Sequence, residues 1–298
     1  MMKPIIAPIS KELLLQEIEA LEKVRDTNHG NNEIYIFDAA SSPNLMREVG
    51  RLREEAFRLG GGGTGSECDI DENDLADDGY RQLITWDPAT HEILGGYRFI
   101  VCRSSDAKHL STEHYFRFSD TFRRDYLPHT IELGRAFVRV MEGDAMKSIY
   151  TLDNLWDGIG ALIKANPDSK YLLGKVTMYS SYNKEARNLL LYFLDRYLGD
   201  KQRLLDGISP LLSDYDDKAM EAIFVGGSYD EDYKILRKTI REHGEVIPPM
   251  MNAYLNISHG MLVFDTIHNR ELGNVYETGI MVTIANIFPD KYERYTQW

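Results

Sequence analysis

Three groups of residues in this chain could carry chemistry. The first is an acidic run, Glu67, Asp69, Asp71 and Glu72, directly after a glycine-rich stretch. The second is Arg98, a lone cation within the otherwise apolar pattern of residues 93–101, and the third is Glu132 with Arg135, again inside an apolar pattern. Arg98 shares a strand face with Gly96 and Ile100, and burying a guanidinium there without a partner is expensive. Carboxylates at 67–72 or at 132 are its natural partners, since the rigid fork of arginine matches a carboxylate. Such a set is either an ion-pair network tying a loop to a sheet or a polar site for a charged substrate. Glu132 and Arg135 lie three apart, so a regular strand sends them to opposite faces. If both serve one site, a bulge must fall between them, with Gly134 as the candidate position.

These residues need elements to hold them. Leu14, Ile18 and Leu21 recur at helical spacing within 11–25, opposite Glu12, Glu17, Glu19 and Glu22. Residues 34–37 read as a short buried strand. Ser42-Pro43 reads as a helix start, with serine as cap and proline in the first turn. Leu45, Val49, Leu52 and Ala56 then share a face, and Arg53 sits beside it, able to reach a cleft. Residues 80–86 and 93–101 read as strands joined by a turn at Asp87-Pro88, and 131–140 as a further central strand. A helix over 153–165 precedes a strand at 171–179, and Asn183 caps a helix with Ala186, Leu190, Phe193 and Tyr197 on one face. Residues 200–245 are charged and weakly patterned, an expected, partly helical insertion. A short helix after Pro248-Pro249 and strands near 260–265 and 275–284 complete the order. The expectation is a helical extension over 1–30 and one α/β domain over 31–298, with a mixed, mostly antiparallel sheet flanked by helices.

Composition removes several function classes. A net charge of −13 over 298 residues disfavours nucleic acid as a partner, which needs a basic surface. Cys68 and Cys102 form no CxxC or Cys/His cluster, so no metal site is expected and a reducing compartment is. No stretch reaches the ~20 apolar residues of a membrane-spanning helix, and the N-terminal apolar run is too short for a secretory signal. A cytoplasmic protein is expected, with peripheral contact at the inner membrane left open. GGGGTG at 60–65 precedes acids instead of a helix and lacks a following Lys-Ser/Thr, so it is not a nucleotide loop.

In order and spacing, RLREEAF at 51–57, ECDID at 67–71, GGYRF at 95–99 and ELGRAFV at 132–138 resemble the acyl-homoserine-lactone synthases. They resemble still more the bacterial amino-acid N-acyltransferases that make ornithine and glycine lipids. The segments LWDGIG at 155–160 and PPMMNAYL at 248–255 look like the branch of those enzymes that carries the label hemolysin. The resemblance covers roughly residues 33–285 and implies an acetyltransferase-like (GNAT) fold. It implies that Arg53, Glu67, Asp69, Arg98, Glu132 and Arg135 line the amine-substrate side of a cleft, with Asp71 or Glu72 as a third acid. It also implies a donor acyl-pantetheine lying where two central strands splay apart, and no tightly bound cofactor.

Aminolysis of a thioester needs a neutral amine, so a group must accept its proton. Glu132 is the first candidate, because a strand fixes it better than a loop does. The oxyanion needs preorganised donors, which backbone N–H groups at a strand splay would supply. No GxSxG motif and no cysteine with a histidine partner is evident, so direct transfer is expected. The segment 141–148 has one glycine and two acids and suits a diphosphate poorly. Acyl carrier protein is therefore the expected donor partner ahead of acyl-coenzyme A, with Arg139 or Lys147 as phosphate contact. Lys108, Arg117, Arg123 and Arg124 are the basic stretch where such an acidic carrier would dock. The rivals are a lactone-type synthase and a non-catalytic acyl-binding or hemolysin-like protein. The presence of Arg53, Arg98 and Glu132 together weighs against the latter.

Overall fold

The computed structural model describes residues 2–139 and 145–298, with the backbone alone for 145–149. Helix α1 (Lys11–Glu19) is followed by β1 (Lys23–Asp26), which pairs antiparallel with β2 (Glu33–Phe37). The N-terminal segment is thus not helical throughout. Its last residues form the edge strand of the main sheet, because the turn at 27–32 folds them back as a hairpin.

Helix α2 (Pro43–Leu59) begins with proline in its first turn as expected, but the Ser42 side chain makes no capping bond. The Glu17 carboxylate of α1 caps it instead, accepting from Asn44 N at 3.0 Å and Leu45 N at 2.8 Å. A carboxylate also suits the positive end of a helix dipole. One turn of helix, α3 (Glu72–Leu75), closes the acidic run, and β3 (Arg81–Asp87) and β4 (Glu92–Val101) form the expected hairpin. Then come β5 (Phe116–Phe118), β6 (Thr130–Val138), α4 (Ala145–Ala165), β7 (Tyr171–Met178) and α5 (Lys184–Leu198). The segment at 200–245 contains β8 (Leu205–Gly207), α6 (Asp217–Ile223) and α7 (Tyr229–Glu242). The chain ends with α8 (Pro249–Leu255), β9 (Leu262–Asn269), β10 (Val275–Thr283) and α9 (Pro289–Thr296).

The expected fold class holds. The main sheet has eight strands in the order β1-β2-β3-β4-β6-β7-β10-β9, antiparallel except for β6 beside β7. Alternating residues face opposite layers, as the period of a strand requires. Tyr35, Phe37, Ile84 and Trp86 pack with Leu14, Leu45, Val49 and Leu52, while Ile34, Leu83 and Tyr97 pack with Leu155, Trp156 and Ile159. Helices α2 and α4 therefore cover opposite faces. The LWDGIG segment lies in α4, where a Cβ on Gly160 would stand 2.0 Å from the Tyr295 carbonyl oxygen. Only glycine lets α4 and α9 approach that closely. Within the segment at 200–245, Met220, Phe224, Leu236 and Ile240 are buried in the same core as α5 and the sheet. Among the described residues no helix is long and apolar enough to cross a membrane.

Candidate active site

Strands β6 and β7 pair only over Thr130↔Tyr171, Ile131↔Leu172 and Glu132↔Leu173. Beyond that they part, and a cleft of about 1140 Å³ opens between Leu133–Val138 on one side and Lys175–Met178 on the other. On β7, Lys175 and Thr177 alternate with Val176 and Met178, and the polar lining of the cleft includes Asp71, Arg98, Ser111, Arg135, Lys175 and Glu277. Its apolar lining includes Phe137, Leu152, Leu155, Met178, Pro249 and Met250. A thioester with a hydrocarbon tail matches that division.

The sequence called for a bulge between Glu132 and Arg135, near Gly134; β6 is in register through Gly134 and is bulged just after it. On β4 a single residue, Tyr97, separates Gly96 from Arg98, but their partners on β6 are Phe137 and Gly134. Arg135 and Ala136 thus oppose one residue, a step beyond the Gly134 position suggested by the sequence. Arg135 itself takes the left-handed φ of 50°, a conformation that costs a non-glycine residue about 1 kcal/mol. Such strain persists where surroundings impose it and gathers at functional sites. Here the Arg135 guanidinium lies 3.5 Å from Asp69 and 3.7 Å from Asp71.

The acidic run and the arginines meet as one buried network whose hub is Asp74. Its carboxylate lies 3.2 Å from Arg53 and 3.1 Å from Arg98, and accepts from the Gln82 amide at 3.0 Å. Burial pushes the Asp74 carboxyl up, but the charges of Arg53 and Arg98 overcome it and hold it down to about 2. Arg98 also binds Asp71 at 2.7 Å and stacks over Tyr80 at 4.3 Å. Burial holds Asp69 above the usual carboxylate range, against the pull of Arg135, Arg53 and Arg98. Arg53 is fully buried, with Gln82 at 2.5 Å. It supports the network from behind and does not line the cleft.

Glu132 is fully buried and also sits behind the cleft wall. One carboxylate oxygen accepts from Ser111 Oγ at 2.9 Å, Thr112 N at 2.8 Å and Thr112 Oγ1 at 2.8 Å. Ser111 stands between this carboxylate and the cleft, and its Oγ in turn accepts from Lys175 Nζ at 3.2 Å. Desolvation lowers the Lys175 ammonium below the usual lysine range, Arg98 and Arg135 push the same way, and Glu277 and Glu132 oppose them. Several buried polar atoms without a hydrogen-bond partner gather here: Arg53 Nε, Asp69 Oδ2, Arg98 Nε, Glu132 Oε2 and Arg135 Nε. Unsatisfied buried groups are rare in stable folds, so their concentration marks a site shaped for more than stability.

The remaining expected residues are placed differently. Glu72 lies at the cleft rim, exposed. Glu67 is exposed and does not line the cleft; its backbone oxygen accepts from Ile6 N at 3.0 Å. Arg139 pairs with Glu92 at 2.9 Å, away from the cleft. Residues 141–144 of the segment 141–148, and the side chains of its remaining residues, Lys147 included, lie outside the described residues. In the expected basic stretch Arg123 is paired with Glu113, and Arg124 with Asp125 at 2.6 Å, while Lys108 and Arg117 are exposed. The glycine-rich loop wraps the chain's own Glu54 carboxylate, which accepts from Thr64 N at 3.0 Å and Gly65 N at 2.8 Å. Among the described residues no cluster of histidine, cysteine and carboxylate could hold a metal. Burial raises both thiols, Cys68 to about 11, which leaves neither as a ready nucleophile.

Sequence reading missed Asp74, Gln82, Ser111, Thr112, Lys175 and Glu277. Lys175 in YLLGKVTM and Glu277 in VYETGIM carry the same signal that exposed Arg98, a single charge in an apolar strand. Ser111 and Thr112 belong to an irregular loop and give no such signal.

The acetyltransferase (GNAT) domain family matches residues 52–142. The chain is 45% identical, over 99% of its length and 93% of the relative's, to the glycine N(alpha)-acyltransferase of Phocaeicola vulgatus. It is 46% identical, over 99% of its length and 90% of the relative's, to the glycine N(alpha)-acyltransferase of Bacteroides thetaiotaomicron. Among solved structures, the AHL synthase LasI aligns over 48% of this chain and 71% of its own, at 18% identity and a TM-score of 0.34.

Proposed function

Because the chain belongs to the glycine N(alpha)-acyltransferase family, we propose that it moves a fatty acyl group, plain or 3-hydroxylated, from carrier-protein phosphopantetheine to the α-amine of glycine. It is an N-acyltransferase of the GNAT type, and its chemistry is acyl transfer to an amine. The observation that carries the finer reading is the cleft between β6 and β7, whose lining joins a set of charged side chains to a set of apolar ones.

In this reading the pantetheine arm lies along the parted strand edges, and the acyl chain runs over Phe137, Leu152 and Met250. The acceptor sits among the charged side chains, where a carboxylate meets Arg98 or Arg135. The amine nitrogen attacks the thioester carbon; a C–N bond forms, the C–S bond breaks, and the departing thiolate takes a proton from water, while the one received by the relay is released to water, so the cycle is proton-neutral. Backbone N–H groups at the splay stabilise the oxyanion. The amine's proton passes to Ser111 Oγ, whose own proton moves to Glu132, so that Glu132 acts through a relay and not by direct contact. Lys175 lends its polarity to the same chain of groups.

The test has two parts. Lipids from cells expressing the protein are compared by mass spectrometry with those from an Arg98→Ala control. Purified enzyme is then assayed for thiol release with acyl carrier protein, with glycine and with ornithine. The reading expects N-acylglycine, lost in the control. Glu132→Gln should lower kcat by about 100-fold or more with little change in thermal stability. Turnover of ornithine alone would overturn the acceptor, and wild-type turnover in Glu132→Gln would remove the relay.

A further inference from the structure

On a protein of net charge −13, helix α7 carries an exposed basic stripe. Lys234, Arg237, Lys238 and Arg241 are all exposed and follow the spacing that puts side chains on one helix face. They line one shallow depression together with Glu242, and the ion pair described among them, Lys238 with Glu242, is long at 3.8 Å and exposed. The opposite face of α7 is accounted for: Leu236 and Ile240 are buried in the core.

The stripe ends beside the cleft. Glu245 lies four positions after Arg241, a span of at most about 14 Å, and Glu245, Val246, Pro248, Pro249 and Met250 all line the cleft. This connecting segment is fixed to the turn between β7 and α5, since Glu245 accepts from Asn183 N at 2.9 Å and the Val246 oxygen accepts from Tyr182 OH at 2.9 Å. Val246, at 60% exposure, adds an apolar contact beside the cations. A basic face next to the opening of an acyl cleft fits an acidic protein whose prosthetic arm enters that cleft.

We infer that the α7 stripe is the docking surface for the acidic acyl-carrier protein, with Val246 at its edge; this rests on the carrier-protein reading of the donor. The region of Arg123 and Arg124 is a poorer fit, since both are already paired with Glu113 and Asp125. On an acidic molecule a local patch of this kind sets encounter rate more than chemistry.

The experiment compares wild type with the quadruple variant Lys234→Glu, Arg237→Glu, Lys238→Glu, Arg241→Glu in the full chain. Donors are acyl-carrier protein and a small acyl-pantetheine thioester that lacks the protein. The expected result is KM for the carrier protein raised about tenfold or more at low salt. That difference should shrink as salt shortens the screening length, while kcat and the small-donor kinetics stay unchanged. An equal KM for carrier protein in both enzymes overturns the docking surface but leaves the donor reading standing. Weaker binding of the variant to anionic phospholipid vesicles, with carrier KM unchanged, overturns it in favour of a membrane contact. Wild-type transfer from coenzyme A alone overturns the surface and the donor reading together.

Discussion

At Lys175 a cation has been drawn into a cleft where desolvation and two arginines work against its charge. A lysine whose pKa is lowered loses its proton at lower pH than an ordinary one, so the neutral amine becomes available nearer to physiological pH. A charged Lys175 donating to Ser111 Oγ makes that oxygen a poorer proton acceptor, so in the proposed relay kcat/KM rises with pH through the lowered pKa. In Lys175→Met the rising limb should vanish and the remaining rate should be nearly flat over that range. A pH–rate profile with the same limb in the variant would assign the titration elsewhere. Residues of this kind were partly legible. The sequence reading chose Arg98 because one charge interrupted an apolar strand, and Lys175 and Glu277 met the same criterion unnoticed. Within the acidic run it chose Glu67 and Asp69, with Asp71 or Glu72 as the third acid, whereas the hub is Asp74. A run of acids does not reveal which one the arginines will share, because that depends on where α3 turns the chain.

The elements explain why the site is built as a cleft. A parallel pair that separates after three register partners leaves two strand edges without neighbours, and the bulge at Arg135–Ala136 turns β6 as it does so. The need for a bulge followed from strand periodicity alone; its exact residues did not, since they depend on pairing with Tyr97. Helix α8 closes the apolar part. Met250 lies in the wall, its sulfur 3.7 Å from Tyr97 OH, while Met251 and Met261 are core residues. Met250→Trp places a larger side chain in the acyl path. It should lower kcat/KM for long-chain donors by about tenfold and leave short-chain donors nearly unaffected. A series of acyl lengths reads this out, and an equal loss at every length would move the acyl path away from α8.

Across the whole molecule, the ion network binds separate pieces of chain. Arg53 comes from α2, Asp74 from α3, Gln82 from β3 and Arg98 from β4, all converging on one buried carboxylate. Asp74 has its folded pKa held at about 2, below its unfolded value of ~3.9. Its contribution to stability is therefore complete above pH ~4 and is lost as pH falls toward 2. Asp74→Asn should destabilise the fold by roughly 3–5 kcal/mol at neutral pH, because Arg53 and Arg98 stay buried with their shared partner gone. Denaturant unfolding of both proteins between pH 2 and 7 checks this, and the difference should narrow at the acid end. A constant difference down to pH 2 would mean that Asp74 is not the titrating hub.

The sequence by itself determined the α/β class, the order of the longer strands and helices, though not β1, α3, β5 or β8, and the residue types that chemistry would need. Apolar periodicity and isolated charges are local signals, and local physics writes them into the chain. Only the tertiary structure decided which acid the arginines share and that Glu132 lies behind Ser111. It also decided that Glu17 of α1 caps α2. Each of these is a contact between residues distant in sequence. Its energy depends on burial and pairing, which exist only after the chain has folded.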